Sequence, residues 1–177
     1  VAPNEEKTPA FYPGPGLGGH CIPLDPYYLT WKAREYGFHT SMIESAAMIN
    51  DRMPEYTVER LRNILNRECK SIKNSKILAL GVAYKQDIDD YRESPAIRVI
   101  EVMEKFGAIV DYFDPFVPFC KKGSFAKKSI DSISPEVVIL TAHTKIDYSM
   151  VQENAKFVFD TKNATKHLTS RNNIELL

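Results

Sequence analysis

Ser75-Lys76-Ile77-Leu78-Ala79-Leu80-Gly81-Val82-Ala83-Tyr84-Lys85 is the stretch on which the reading of this chain turns. From Ile77 to Ala83 it is an unbroken apolar run, with Lys73-Asn74 before it and Tyr84-Lys85 after it. A short run of this kind fits a strand covered on both faces, as at the centre of a parallel sheet. Downstream, Ser94-Pro95 offers an N-cap followed by proline at the first helical position. Ile97, Ile100, Met103 and Phe106 then form an apolar helix face that ends at Gly107. The unit recurs: Ala108–Phe113, Val137–Thr141 and Lys156–Asp160 read as strands, and Tyr148–Asn154 as a short helix. Strands alternating with helices predict an α/β, Rossmann-like parallel sheet over residues 75–177.

Upstream of the sheet the pattern is helical. Leu29, Trp31, Ala33 and Tyr36 fit a helix from Tyr27 that closes at Gly37, a residue suited to a left-handed cap. A longer stretch, Ser41 to about Cys69, carries Ile43, Ala46, Ala47, Ile49, Val58, Leu61, Ile64 and Leu65 at helical spacing, and Pro54 is expected to kink or restart it. Residues 1–26 are so rich in proline and glycine that a shaped loop is expected there. Three segments follow: a loop over 1–26, a central helical segment over 27–74 with a long connecting helix, and the sheet domain over 75–177.

The 177 residues are 44% hydrophobic and 26% charged, ample for a core. Lysine plus arginine equals aspartate plus glutamate, at 23 each, so no net field points to nucleic acid or an anionic membrane. The start, Val1 to Thr8, is polar and no apolar run is long enough to span a bilayer, which makes a cytoplasmic location the default expectation. Cys21, Cys69 and Cys120 are odd in number and lack any C-x-x-C pair, so reduced thiols are expected. Lys121-Lys122 and Lys127-Lys128 read as a solvated loop.

The densest chemical signal is Phe11-Tyr12-Pro13-Gly14-Pro15-Gly16-Leu17-Gly18-Gly19-His20-Cys21-Ile22-Pro23-Leu24-Asp25-Pro26. Glycines let backbone approach a ligand closely. A cysteine ending such a loop can add as thiolate to a carbonyl carbon, or can be a small buried hydrophobe in a tight turn; spacing leaves both readings open. His20 beside Cys21 gives two adjacent ligands with Asp25 a poor third, so no metal site is expected. A cysteine hydrolase would need a partnered histidine, and His39, His143 and His167 stand in no local signature for one.

Gly-Gly-His-Cys-Ile-Pro followed by Asp-Pro closely resembles the active-site signature of the UDP-glucose/GDP-mannose dehydrogenase family, and the longer form from Phe11 looks most like its UDP-N-acetylglucosamine 6-dehydrogenase branch. A second family signature stands at Gly81-Val82-Ala83-Tyr84-Lys85-Gln86-Asp87 through Asp90-Tyr91-Arg92-Glu93-Ser94-Pro95. The resemblance runs from residue 11 to about 164; the first ten residues and the last dozen are unplaced by it. It implies oxidation of a UDP-sugar C6 alcohol to the carboxylate with NAD, a step toward surface polysaccharide precursors. Cys21 takes the covalent role through a thiohemiacetal and thioester, and Asp25 helps position water or a base. Tyr12, Gly14, Gly16 and Gly18 fall to the substrate. With no G-x-G-x-x-G after its first strand, the sheet suits the sugar nucleotide better than NAD. Lys85, with Tyr84 beside it, is placed against the phosphates. Arg92 matches a position that reaches the cofactor, although it could equally bridge to Asp90 or Glu93. Lys162 stands where the family often has arginine, which turns a forked contact into a point charge. The resemblance further implies a homodimer through the long helix, and NAD held mainly by an N-terminal domain that this chain lacks. The alternatives are a non-catalytic UDP-sugar-binding module, or a dehydrogenase for UDP-N-acetylmannosamine or UDP-glucose.

Overall fold

The computed structural model describes residues 12–120, 127, 129 and 133–177. Phe11 and three lysines of the expected solvated loop, Lys121, Lys122 and Lys128, lie outside the described residues. Five strands, β1 (Lys76–Leu80), β2 (Ile109–Phe113), β3 (Glu136–Ile139), β4 (Phe157–Asp160) and β5 (Ile174–Leu176), form one sheet in the order β2-β1-β3-β4-β5. Every pairing is parallel. β1 is central and fully apolar from Ile77 to Leu80, all four residues at 0% exposure, as its unbroken run predicts.

The pleat divides those residues between two layers. Ile77 and Ala79 join Val58, Leu61 and Leu65 of α2 (Ser41–Arg67) and Ile97, Ile100 and Met103 of α3 (Pro95–Lys105) on one face. Leu78 and Leu80 join Val137, Ile139 and Val151 on the other, beneath α4 (Tyr148–Asn154). Helices on both faces of a parallel sheet are the expected doubly wound arrangement. Ser94 caps α3 as its sequence suggests: the hydroxyl accepts from the Ala96 N–H at 3.2 Å, and Pro95 stands at the first turn.

Several sequence expectations are corrected. α1 spans Cys21–Glu35, so the helix begins at the cysteine and not at Tyr27. Pro23 lies in its first turn, where an amide has no intrahelical acceptor in any case, and Pro26, inside the helix, takes one bond from the Ile22 carbonyl without ending it. α2 continues through Pro54 without a restart. The second half of its apolar stripe is covered by α3 and the sheet, while Met42, Met48 and Ile49 in its first half stay exposed. The chain end, unplaced from sequence, adds β5, and Glu175 there pairs with Arg60 and Arg67 of α2. Among the described residues no helix is long and apolar enough to cross a membrane.

Candidate functional site

In a parallel sheet the turns at the carboxyl ends of the strands share one edge, and ligands gather where the chain order reverses, here between β1 and β3. Gly81 ends β1 at φ +81°, and a Cβ there would stand 2.5 Å from the Thr141 carbonyl oxygen. Only glycine lets the two strand ends close so tightly. The turn beyond it is held from below by Asp114, which is fully buried. One oxygen of that carboxylate accepts from the Val82 N–H (2.7 Å) and Ala83 N–H (3.1 Å), and the other from Phe116 (2.8 Å) and Val117 (3.0 Å). Burial pushes the Asp114 carboxyl up, but the hydrogen bonds from His143 and these amides outweigh it and hold it below the ordinary carboxylate range.

The glycine-rich segment crosses this same edge. A Cβ on Gly18 would fall 2.6 Å from the Glu93 carbonyl oxygen, 2.7 Å from Pro95 Cδ and 2.9 Å from Tyr84 Cβ; one on Gly19 would fall 3.0 Å from the Tyr84 ring. Gly14 lies over the end of Lys162, whose Nζ would be 2.5 Å from a Cβ there. Lys162 follows β4, its backbone N–H tied to Asp160 at 3.0 Å. Burial lowers the pKa of its ammonium, which has no hydrogen-bond acceptor among the described residues. A half-buried, unpartnered cation under a glycine-lined backbone is a place for an anionic group. Leu17 N–H donates to Asn50 Oδ1 at 2.7 Å, which docks the segment on α2. Pro54 has no N–H to donate back to the Asn50 carbonyl, so that oxygen is spared its helical partner, and it lies 3.7 Å from the Cβ position of Gly16.

The segment delivers Cys21 to the N-terminus of α1, exposed, among first-turn amides that have no intrahelical acceptor. Because the helix starts there, Asp25 stands at i+4 from Cys21, on the same face one turn on. Asp25 also borders a groove of about 550 Å³ between α1 and α2, together with Leu17, Ile22, Tyr27 and Ile43. Tyr84 is partly buried beneath the segment and Lys85 extends exposed beside it. Tyr12, at 80% exposure, projects from the segment's beginning. Arg92 forks onto Asp90, with Nε at 3.0 Å and a terminal nitrogen at 2.8 Å, and this arginine holds the Asp90 carboxyl down to about 2.

The structure thus brings Gly14, Gly16, Gly18, Tyr84 and Lys162 to one edge, with Cys21 and Asp25 on the helix that the segment enters. Asn50, Asp114 and His143 were not among the site residues expected from sequence. The first is an ordinary polar residue on a helix, and the other two follow strands in stretches with no motif.

The class that this fold and edge define is a doubly wound α/β domain joined to a helical segment that carries a cysteine at a helix N-terminus. The chain belongs to the UDP-glucose/GDP-mannose dehydrogenase family: residues 78–167 match its UDP binding domain and residues 3–52 its central domain. It is 33% identical over 175 residues to the UDP-N-acetyl-D-mannosamine dehydrogenase of Methanococcus maripaludis strain C7, covering 94% of this chain and 40% of that protein. It is 38% identical over 104 residues to the UDP-N-acetyl-D-glucosamine 6-dehydrogenase of Salmonella typhi, covering 58% of this chain and 24% of that one. The solved structure of UDP-D-ManNAc dehydrogenase from Pyrococcus horikoshii superposes with a TM-score of 0.79 at 27% identity, covering 97% of this chain and 41% of that one. The chain therefore spans about 40% of the length of the relatives that it matches from end to end.

Proposed function

We propose that this chain is the sugar-nucleotide-binding and thiol-bearing part of an NAD-dependent UDP-sugar 6-dehydrogenase. The observation that carries the reading is the seating of the glycine-rich segment on the sheet edge, over Lys162 and Tyr84, because it joins the cysteine helix to the cationic edge of the UDP binding domain. Lys162 and Lys85 meet the pyrophosphate of the nucleotide, and the glycines let its backbone-lined path close around the sugar. Cys21 adds through sulfur to the C6 carbon at the aldehyde level, and the carbonyl oxygen takes up the proton to give a thiohemiacetal. At the thioester level water attacks the same carbon, releasing the carboxylate and restoring the thiol. Asp25, one turn along on the same helix face, orients that water.

A nicotinamide supplies the hydride acceptor, and the residues of this sheet do not fit one. The first strand turn holds a single glycine, and its close approach is already taken by Thr141, leaving no cradle for a dinucleotide pyrophosphate. The cofactor is then held by residues other than these. The sugar is read as N-acetylglucosamine from the form of the cysteine segment. N-acetylmannosamine is the second reading, favoured by relatives of that name that match 94% of the chain. The exposed Met42, Met48 and Ile49 on α2 support a homodimer through the first half of that helix.

Turnover of the full-length enzyme with each UDP-N-acetylhexosamine, for wild type and Cys21→Ser, tests the function. The expected result is NAD reduction and acid formation with one epimer preferred, and loss of acid formation in Cys21→Ser with UDP affinity unchanged. Acid formation by Cys21→Ser at the wild-type rate would sink the covalent role.

A further inference from the structure

We propose that His143 and Asp114 are positioning residues for the nucleotide site: buried behind the sheet edge, they fix the turn that presents Tyr84 and Lys85. The inference rests on reading that turn as a phosphate-binding edge. Both side chains are at 0% exposure, and neither touches the solvent face where a ligand would sit. His143 follows β3 and Asp114 follows β2, so the pair spans the two strands that flank β1.

The hydrogen bonds settle which nitrogen carries the proton. The Asp87 N–H donates to His143 Nδ1 at 2.9 Å, so Nδ1 is the bare acceptor. Nε2 then carries the hydrogen and donates to Asp114 Oδ2 at 3.0 Å. That same oxygen receives the Val82 and Ala83 amides. The turn is therefore gripped twice, at Ala83 through Asp114 and at Asp87 through His143, with Tyr84, Lys85 and Gln86 in the span between. Three further bonds close the grip. Thr141 Oγ1 donates to the Ala83 carbonyl at 2.6 Å, and the Asp87 carboxylate accepts from the Thr144 N–H at 2.8 Å and its hydroxyl at 2.9 Å. Asp87 itself sits at φ +59°, a left-handed conformation that costs a non-glycine residue and persists only where its surroundings dictate it. Around the imidazole stand the Phe116 ring, 5.1 Å between centroids, and Asp87 Oδ1, 3.7 Å from Nδ1.

A buried carboxylate bonded to a neutral imidazole is costly compared with apolar packing, and an apolar core lies directly below this pair. What the pair supplies that leucine or valine would not is directional bonding to both ends of one turn. The two halves of that role separate by substitution. His143→Asn keeps an acceptor where Nδ1 stands and loses the bond to Asp114. His143→Gln keeps a donor where Nε2 stands and loses the acceptor for Asp87.

The test is calorimetric UDP affinity and melting temperature of the full-length protein for wild type, both His143 variants, Thr144→Val and Lys85→Ala. The expected result is UDP affinity within about threefold of wild type for His143→Asn and about tenfold weaker for His143→Gln, since loss of the grip at Asp87 removes roughly one charge-assisted contact at Lys85. Steady-state kinetics should show the His143→Gln loss in KM for the UDP-sugar, with kcat preserved. Thr144→Val, a change on the exposed side of the same grip, is expected to weaken UDP about threefold at unchanged melting temperature. Equal affinity for both His143 variants, or losses that track melting temperature alone, would overturn the inference. If neither His143 variant folds, wild-type affinity in Thr144→Val overturns it as well. Unchanged affinity in Lys85→Ala would instead remove the reading of the turn on which the inference rests.

Discussion

Replacing Gly18 with alanine puts one methyl group against three atoms that cannot swing away: the Glu93 carbonyl oxygen at 2.6 Å, Pro95 Cδ at 2.7 Å and Tyr84 Cβ at 2.9 Å. The first two belong to the capped start of α3 and the third to the turn that follows β1. Restoring an ordinary 3.4 Å contact to the carbonyl requires the segment to lift by about 0.8 Å. Overpacking of this kind costs about 1–3 kcal/mol of stability. The larger effect is expected in turnover, because Cys21 is three residues away on the same segment and a misplacement of about 1 Å costs on the order of 100-fold in rate. Gly14→Ala is the internal comparison. Its methyl meets the flexible end of Lys162, with Nζ at 2.5 Å, so the ammonium moves and the segment stays. UDP affinity should then fall while kcat at saturating substrate holds. The assay is kcat, UDP affinity and the alkylation rate of Cys21 in the full-length enzyme for both variants. Wild-type kcat in Gly18→Ala, or equal kcat losses in the two variants, would refute the proposed seating of the segment.

Three further outcomes follow from the same geometry. Asn50→Ala removes the acceptor for the Leu17 N–H and should loosen the segment by about 1 kcal/mol, read as a several-fold drop in kcat with UDP affinity unchanged. Lys162→Met keeps the packing length and removes the charge; UDP affinity should weaken about tenfold and its salt dependence flatten, and calorimetry at two ionic strengths checks both. Asp114 contributes to acid stability with a definite sign. Its folded carboxyl lies below the ordinary value of 3.8, so its contribution is complete above that pH and drains away as pH falls below it. Unfolding followed between pH 4 and pH 2 should show a steeper loss for wild type than for Asp114→Asn, and parallel slopes would contradict this.

The fold was legible wherever a segment satisfies its own local rules. The Ile77–Leu80 run, the Ser94-Pro95 cap and the Tyr148–Asn154 helix each carry a signal within a few residues, and each element stands where that signal puts it. The misses have two causes, a local tolerance that composition hides and a tertiary contact that no local signal carries. Proline and glycine density suggested a loop through Pro26, but the first turn of a helix tolerates Pro23, and the helix begins at Cys21. β5 is three residues long and exists because β4 offers an open edge and because Arg60 and Arg67 reach across to Glu175.

The candidate site divides along the same line. Its motif residues stand out because close backbone approach demands glycine and the chemistry demands a thiol. Gly18 and Cys21 therefore announce themselves from sequence. The residues that hold those motifs in place answer to no such demand. Any acceptor of the right length at position 50 could dock Leu17, and the need for one at that position appears only once α2 is seen beneath the segment. Asp114 and His143 are more instructive, because a lone aspartate before proline reads as a turn and a lone histidine after a strand reads as nothing in particular. Their meaning comes from meeting each other across β1 with four backbone amides pointed at one carboxylate. A sequence reader could have asked what receives the amides of Val82 and Ala83, since a turn leaving a buried central strand must satisfy them somewhere. That question selects a buried acceptor at the end of a neighbouring strand, and Asp114, directly after β2, meets the requirement.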